Sequence, residues 1–179
     1  MANPQYVPGT LVPERLLPLI GLLVVRFGSL DAELNRLIWH VAGLDEMAGR
    51  AFTASVTNYR PRANLLGWLS RRIESEADRK KVAKLADQFM EVADFRHRVI
   101  HDEVGWYSPN IGTVGVWRAE VPLEKRKPTE MSEGWLSYYS RLSSEVEARM
   151  QQYRIKNSRW DEDAHFPWHE TPPSKPNRS

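Results

Sequence analysis

Leu16, Ile20, Leu23, Phe27, Leu30, Leu34, Leu37, Ile38 and Val41 recur at the spacing of one face of an α-helix. A stripe of that length has to be covered by other apolar faces, so the chain must fold as packed helices. Pro18 is tolerable only near the start of such a helix, which predicts a beginning at about Pro13; Gly43 supplies the stop. The most apolar run, Leu16 to Val25, is about half the length that crosses a bilayer, and Arg15 and Arg26 flank it. A secretory leader would need basic residues before Leu11 and a small-residue cleavage site after the run, and neither is found. The run reads as a buried helix segment, with no membrane association expected.

With 179 residues, 41% of them apolar and 27% charged, the chain suits one soluble domain with a sizeable core. A formal charge of +2 is too small to mark a nucleic-acid binder, so any such role has to rest on local patches. There is no cysteine. Disulfides, thiolate zinc sites and a cysteine nucleophile are thereby excluded, and the composition fits a reducing cytoplasm.

The first ten residues hold Pro4, Pro8 and Gly9 and read as an arm (1–10) before a helical domain (11–155). Within that domain, shorter helices are expected over Glu46 to Thr57 and Arg62 to Ile73, the latter started by Pro61. A long fourth helix is expected over Ser75 to Glu103, then a β-hairpin at 104–121 with aromatic and β-branched strands around a Pro-Asn-Ile-Gly turn. A basic loop leads to a last helix, Ser132 to Arg154. The tail (156–179) mixes tryptophans, acids and prolines in "RWDEDAHFPWHETPP". It reads either as an unstructured, flexible end or as a segment that docks on a partner or on the protein itself.

The fourth helix carries an anomaly. Val82, Leu85, Ala86, Phe89, Val92, Ala93, Ile100 and Val104 project to one face, and Lys80, Lys84, Asp87, Glu91, Arg98 and Asp102 to the other. Arg96 falls in the middle of the apolar face, with His97 on its flank and His101 one step further round. A guanidinium cannot shed its proton, so an anion must meet it: a carboxylate, or a phosphate when substrate binds. Asp31 breaks the apolar stripe of the first helix in the same way and is the expected partner. Two readings stand. Arg96 and Asp31 form an internal ion pair with ordinary boundary histidines, or Arg and His together handle a phosphodiester, the imidazole moving the ribose 2′-hydroxyl proton.

"RHRVIH", Arg96 to His101, resembles the R-(polar)-x3-H form of the Rx4–6H motif of HEPN domains, small all-α ribonucleases and RNA-binding proteins. "RFGSLDAELNRLIW" in the first helix resembles the phenylalanine-glycine-leucine-acidic pattern of many members, with Asp31 in the acidic place where glutamate is commoner. A hairpin after the motif is common in Abi-like members. The resemblance covers roughly Leu16 to Arg154. It implies an all-α, HEPN-like bundle of four to five helices with one small β-hairpin after the fourth. It also implies a homodimer lining one cleft with two copies of Arg96 and His101, and metal-independent endoribonuclease activity of toxin or phage-defence type. On it, Arg96, His101 and His97 are the catalytic residues and Asp31 and Asp102 support them. RNA is the substrate, no cofactor is used, and an antitoxin or defence-system protein is the expected partner. Some HEPN domains only bind RNA or proteins, and that non-catalytic module is the alternative.

Other chemistry is less well supplied. His97 and His101 have the i, i+4 spacing of a zinc pair, but no glutamate lies between them and no third ligand is evident. "GTVG" lacks the lysine and helix of a phosphate loop. His40 reads as a boundary residue, and His165 and His169 lie in the tail. Basic residues cluster at Arg60, Arg62, Arg71 and Arg72, and again at Arg118, Lys125, Arg126 and Lys127. If the fold brings them beside Arg96 and His101, with Trp106, Tyr107 or Trp117, they would form a phosphate track with stacking surfaces. Gly21, Gly28 and Ala32 share a face of the first helix that would admit a second helix closely.

Overall fold

A computed structural model describes residues 12–108, 113–117, 121 and 129–157. One 3-10 turn, Glu14–Leu16, leads into α1, Leu17–Ala42; α2, Glu46–Ala54, α3, Tyr59–Ser70, α4, Glu76–His101, and α5, Glu133–Asn157, complete a five-helix bundle. Between α4 and α5 run β1, Glu103–Ser108, β2, Thr113–Trp117, and β3, Thr129–Met131, in an antiparallel sheet ordered β1-β2-β3. The expected hairpin is present. The third strand was not foreseen: its three residues lie in a stretch read as a basic loop, too short to show an alternating pattern.

Local chemistry sets the helix ends. Pro18 sits in the first turn of α1, where its missing N–H costs nothing, and Gly43 takes φ 71° as the left-handed cap. Asp45, Asn58 and Ser75 cap α2, α3 and α4 by accepting from the N–H of Ala48, Arg60 and Asp78. The Asn58 cap starts α3 at Tyr59, three residues before the expected Arg62, and Pro61 lies within its first turn.

The main core gathers Phe27, Leu30, Leu34, Leu37 and Ile38 of α1 with Leu66 of α3, Val82, Phe89 and Val92 of α4, and Leu142, Val146 and Met150 of α5. Each such side chain contributes about 1.5–3 kcal/mol by leaving water. A second cluster joins Leu16 and Leu23 to Phe95 and Val99 of α4, Val114 and Val116 of β2, Met131 and Leu136. In the last turns of α4 the buried residues are therefore Phe95 and Val99, while Ile100, expected inside, is 38% exposed. The sheet covers the helix from a different side than the bundle does, so the buried face rotates there. Phe95 stacks on Tyr139 of α5 with ring centroids 3.9 Å apart.

The α1–α2 seam is tight. A Cβ built on Gly49 would stand 2.3 Å from Cγ of Trp39, whose indole N–H donates to Thr53 at 3.2 Å. Only glycine lets α2 approach so closely. Among the described residues no helix is long and apolar enough to cross a membrane.

The arm at 1–10, the tail beyond Asn157, the hairpin turn, and Arg118, Lys125, Arg126 and Lys127 lie outside the described residues, as do the side chains of Trp106 and Tyr107.

Candidate functional site

At the α1–α3 contact Arg62 makes the internal ion pair with Asp31 that was expected of Arg96. Arg62 lies on the buried face of α3 with Ala63, Leu66 and Ser70 and is only 9% exposed. Its guanidinium meets Asp31 of α1 at 2.7 and 3.0 Å, donates to Asn35 at 3.0 Å, and its Nε donates to the carbonyl of Asn58 at 3.4 Å. Asp31 therefore anchors α3 to α1 through Arg62, and the expectation that it holds Arg96 is corrected. Reading Arg62 as part of a solvated basic cluster is corrected with it.

Arg96 has no ion pair among the described residues. It is half-buried, its guanidinium carbon 5.5 Å from the centre of the Phe27 ring, and its Nε is buried without a hydrogen-bond partner. Its Nη1 lies 3.4 Å from Nε2 of His101, a long contact in which the guanidinium donates when the ring carries its proton on Nδ1. A cation so placed is positioned by an aromatic face and a neighbouring imidazole, neither of which neutralises it.

His97 and His101 stand one turn apart, both exposed, with ring centroids 4.7 Å apart. The His97 ring lies 6.1 Å from that of Tyr59 at the start of α3. Tyr59 donates its hydroxyl to Asp94 at 3.3 Å, and Arg60 pairs with the same carboxylate at 2.8 Å. The first turn of α3 and the last turns of α4 thus build one surface from Arg96, His101, His97, Tyr59, Asp94 and Arg60. Tyr59 and Asp94 were not anticipated, although recognising Asn58 as a cap would have brought Tyr59 onto the helix.

Asp102 ends α4 in extended conformation and its backbone N–H bonds the carbonyl of Arg98 at 3.0 Å, so it marks the exit from helix to β1 just past His101. Arg98, expected in solvent, is half-buried and engaged. The basic cluster at Arg60 to Arg72 is not one patch: Arg62 is internal, Arg60 joins the histidine surface, and Arg71 lies over Trp68 at 5.7 Å towards the other end of α3. Trp117, offered as a stacking surface, is 2% exposed.

A second polar knot lies between α1 and α5. Glu33, 3% exposed, accepts from Nε of Arg154 at 2.5 Å and from Arg36 at 3.1 Å. Burial, and then the charge of Glu33, raises the carboxyl of Glu147 above its usual range. His40, half-buried edge-on to Tyr153 at 6.3 Å, is held below the ordinary histidine value by burial and then by Arg154. Gly21 and Gly28 face open space on α1, on the same side as the exposed Leu17 and Val25. No three His, Asp or Glu side chains among the described residues gather as a metal-holding group.

No family model, curated protein or solved structure matches the chain.

Proposed function

We propose that the chain is a metal-independent endoribonuclease of toxin or phage-defence type, working in the cytoplasm as a homodimer of HEPN-like bundles and restrained by an antitoxin or defence-system partner. The observation that carries this reading is Arg96, a half-buried cation without a carboxylate, in contact with one of two exposed histidines. A phosphodiester supplies the missing anion. His101 takes the proton of the ribose 2′-hydroxyl, and the 2′-oxygen attacks phosphorus. The bond from phosphorus to the 5′-oxygen breaks, and His97 protonates the departing oxygen. The products are a 2′,3′-cyclic phosphate and a 5′-hydroxyl. Arg96 stabilises the charge growing on the non-bridging oxygens, contributing about 3–4 kcal/mol as a preorganised donor. Asp31 acts at one remove: by fixing Arg62 it seats α3, which sets Tyr59 beside His97. The apolar side of α1 with Leu17, Val25, Gly21 and Gly28 suits the approach of a second copy.

The cation–π contact of Arg96 with Phe27 favours one rival, a non-catalytic RNA- or protein-binding bundle in which Arg96 covers the core. Incubating the purified chain with end-labelled RNA decides between them. Cleavage by wild type that disappears in His101→Ala and in His97→Ala supports the nuclease; equal cleavage by wild type and His101→Ala refutes it.

A further inference from the structure

One end of α3 lies in the histidine surface and the other leads away from it. Arg60, in the first turn, is paired there with Asp94, while Arg62, Ala63, Leu66 and Ser70 form the buried side of the helix. At about 100° per residue, Arg60, Asn64, Gly67, Trp68 and Arg71 fall on the opposite side, within an arc of about 100°. No acid occurs from Tyr59 to Ile73. Arg71 and Arg72 are exposed, and neither has an ion pair among the described residues. Trp68 is the anomaly on this side, with 71% of it exposed. The Arg71 guanidinium lies over its ring at 5.7 Å, which restrains the indole without covering it. Next to it Gly67 stands inside the helix, where alanine would hold the helix better, yet a Cβ there would face open space. The protein's own packing does not require that glycine.

An exposed aromatic ring, a floor without side chains and two arginines suit a planar ring joined to phosphates. An acidic protein segment would use the arginines but leave the indole and the floor without an occupant. We propose that the outer side of α3 binds single-stranded RNA, with one unpaired base stacked on Trp68 over Gly67 and phosphates on Arg71 and Arg72. The strand then passes Asn64 to reach Arg60 and the histidines. Trp68 and Arg60 are eight residues apart, about 12 Å along the helix, so the stacked base belongs to the strand being cut and lies near the scissile bond. Bases paired in a duplex are not free to stack on a side chain, which makes unpaired RNA the substrate class. The direction of the strand rests on the nuclease reading; the binding itself does not.

Fluorescence anisotropy with a labelled 2′-O-methyl RNA of about twelve nucleotides, which has no free 2′-hydroxyl and so stays intact, tests it on the full chain. Trp68→Ala should weaken binding about tenfold, and Trp68→Phe much less, because a phenyl ring still stacks. Gly67→Leu should weaken binding comparably while the melting temperature stays or rises, which separates loss of the floor from loss of the fold. Replacing Arg71 and Arg72 together by glutamine should flatten the plot of log affinity against log salt by about 1.4, or about 0.7 for each phosphate released. A duplex of the same sequence should bind about tenfold more weakly. Affinity unchanged in Trp68→Ala or in Gly67→Leu, a duplex bound as tightly as the single strand, no binding at all, or displacement of the RNA by poly-glutamate at equal charge would each overturn the proposal. Cleavage of unmodified RNA with affinity unchanged in Trp68→Ala would sink the α3 track and leave the nuclease reading standing. Binding that depends on Trp68 without any cleavage would do the reverse.

Discussion

Asp31 of α1 and Arg62 of α3 meet at 2.7 Å, and this pairing leaves Arg96 of α4 without a carboxylate. Two arginines that look alike in the sequence thereby acquire opposite tasks, one holding two helices together and the other facing the histidines.

The two should respond differently to truncation. Arg62→Ala strands the Asp31 carboxylate in a three-quarters-buried position and should cost about 3 kcal/mol. Arg96→Ala removes no ion pair and should shift the urea midpoint far less. Denaturation followed by helical circular dichroism compares them; an Arg96→Ala loss as large as that of Arg62→Ala would assign Arg96 to the scaffold.

RNA cleavage should vanish in Arg96→Ala and in His101→Ala while the helical spectrum is unchanged. Replacing the ribose by 2′-deoxyribose at the scissile nucleotide should abolish cleavage, because the attacking oxygen is then gone. The wild-type product ends should carry 2′,3′-cyclic phosphate, and activity should persist in EDTA. Loss in EDTA restored by zinc or magnesium would replace this mechanism with a metal-dependent one.

Stability should depend on His40. Its folded-state pKa is lowered, so the unfolded chain binds the proton more readily. The favourable contribution is complete above the ordinary value of 6.5 and is lost as pH falls from there through the folded-state value. His40→Gln removes that term. Glutamine stays neutral and escapes the cost of charging a buried ring, so wild type should lose stability relative to the variant as pH falls below 6.5, and a difference between their thermal melts independent of pH would refute the linkage.

Glu33→Gln should be among the most damaging changes on α1. Glu33 is 3% exposed and serves two arginines, and its loss leaves Arg154 with a neutral acceptor in a buried site. A cost of about 3 kcal/mol or more is expected. Glu147, freed of its neighbour's charge, should ionise more easily, which a carboxyl-resolved NMR titration would detect.

The long stripes were legible because they repeat: Leu23 to Ile38 on α1 and Val82 to Ala93 on α4 are buried as their spacing requires. The grouping of Arg96, His97 and His101 was equally visible, since one helix carries all three. What escaped depended on contacts between elements. Whether Arg62 points in or out depends on how α3 packs on α1, where Asp31 and Asn35 meet it. Asp31 has an arginine available from α3 or from α4, and only packing chooses between them. Phe95 and Val99 are buried by a sheet whose third strand has no pattern of its own.

The contact of Gly49 with Trp39 carries a consequence for how this sequence can drift. No side chain fits at 49 while the indole fills the seam, and a smaller residue at 39 would abandon both the ring's packing and its bond to Thr53. Neither position can change first without loss. In natural variants of the chain the two should substitute as a couple or stay fixed, so that the α1–α2 junction evolves in jumps while the exposed sides of the same helices change residue by residue.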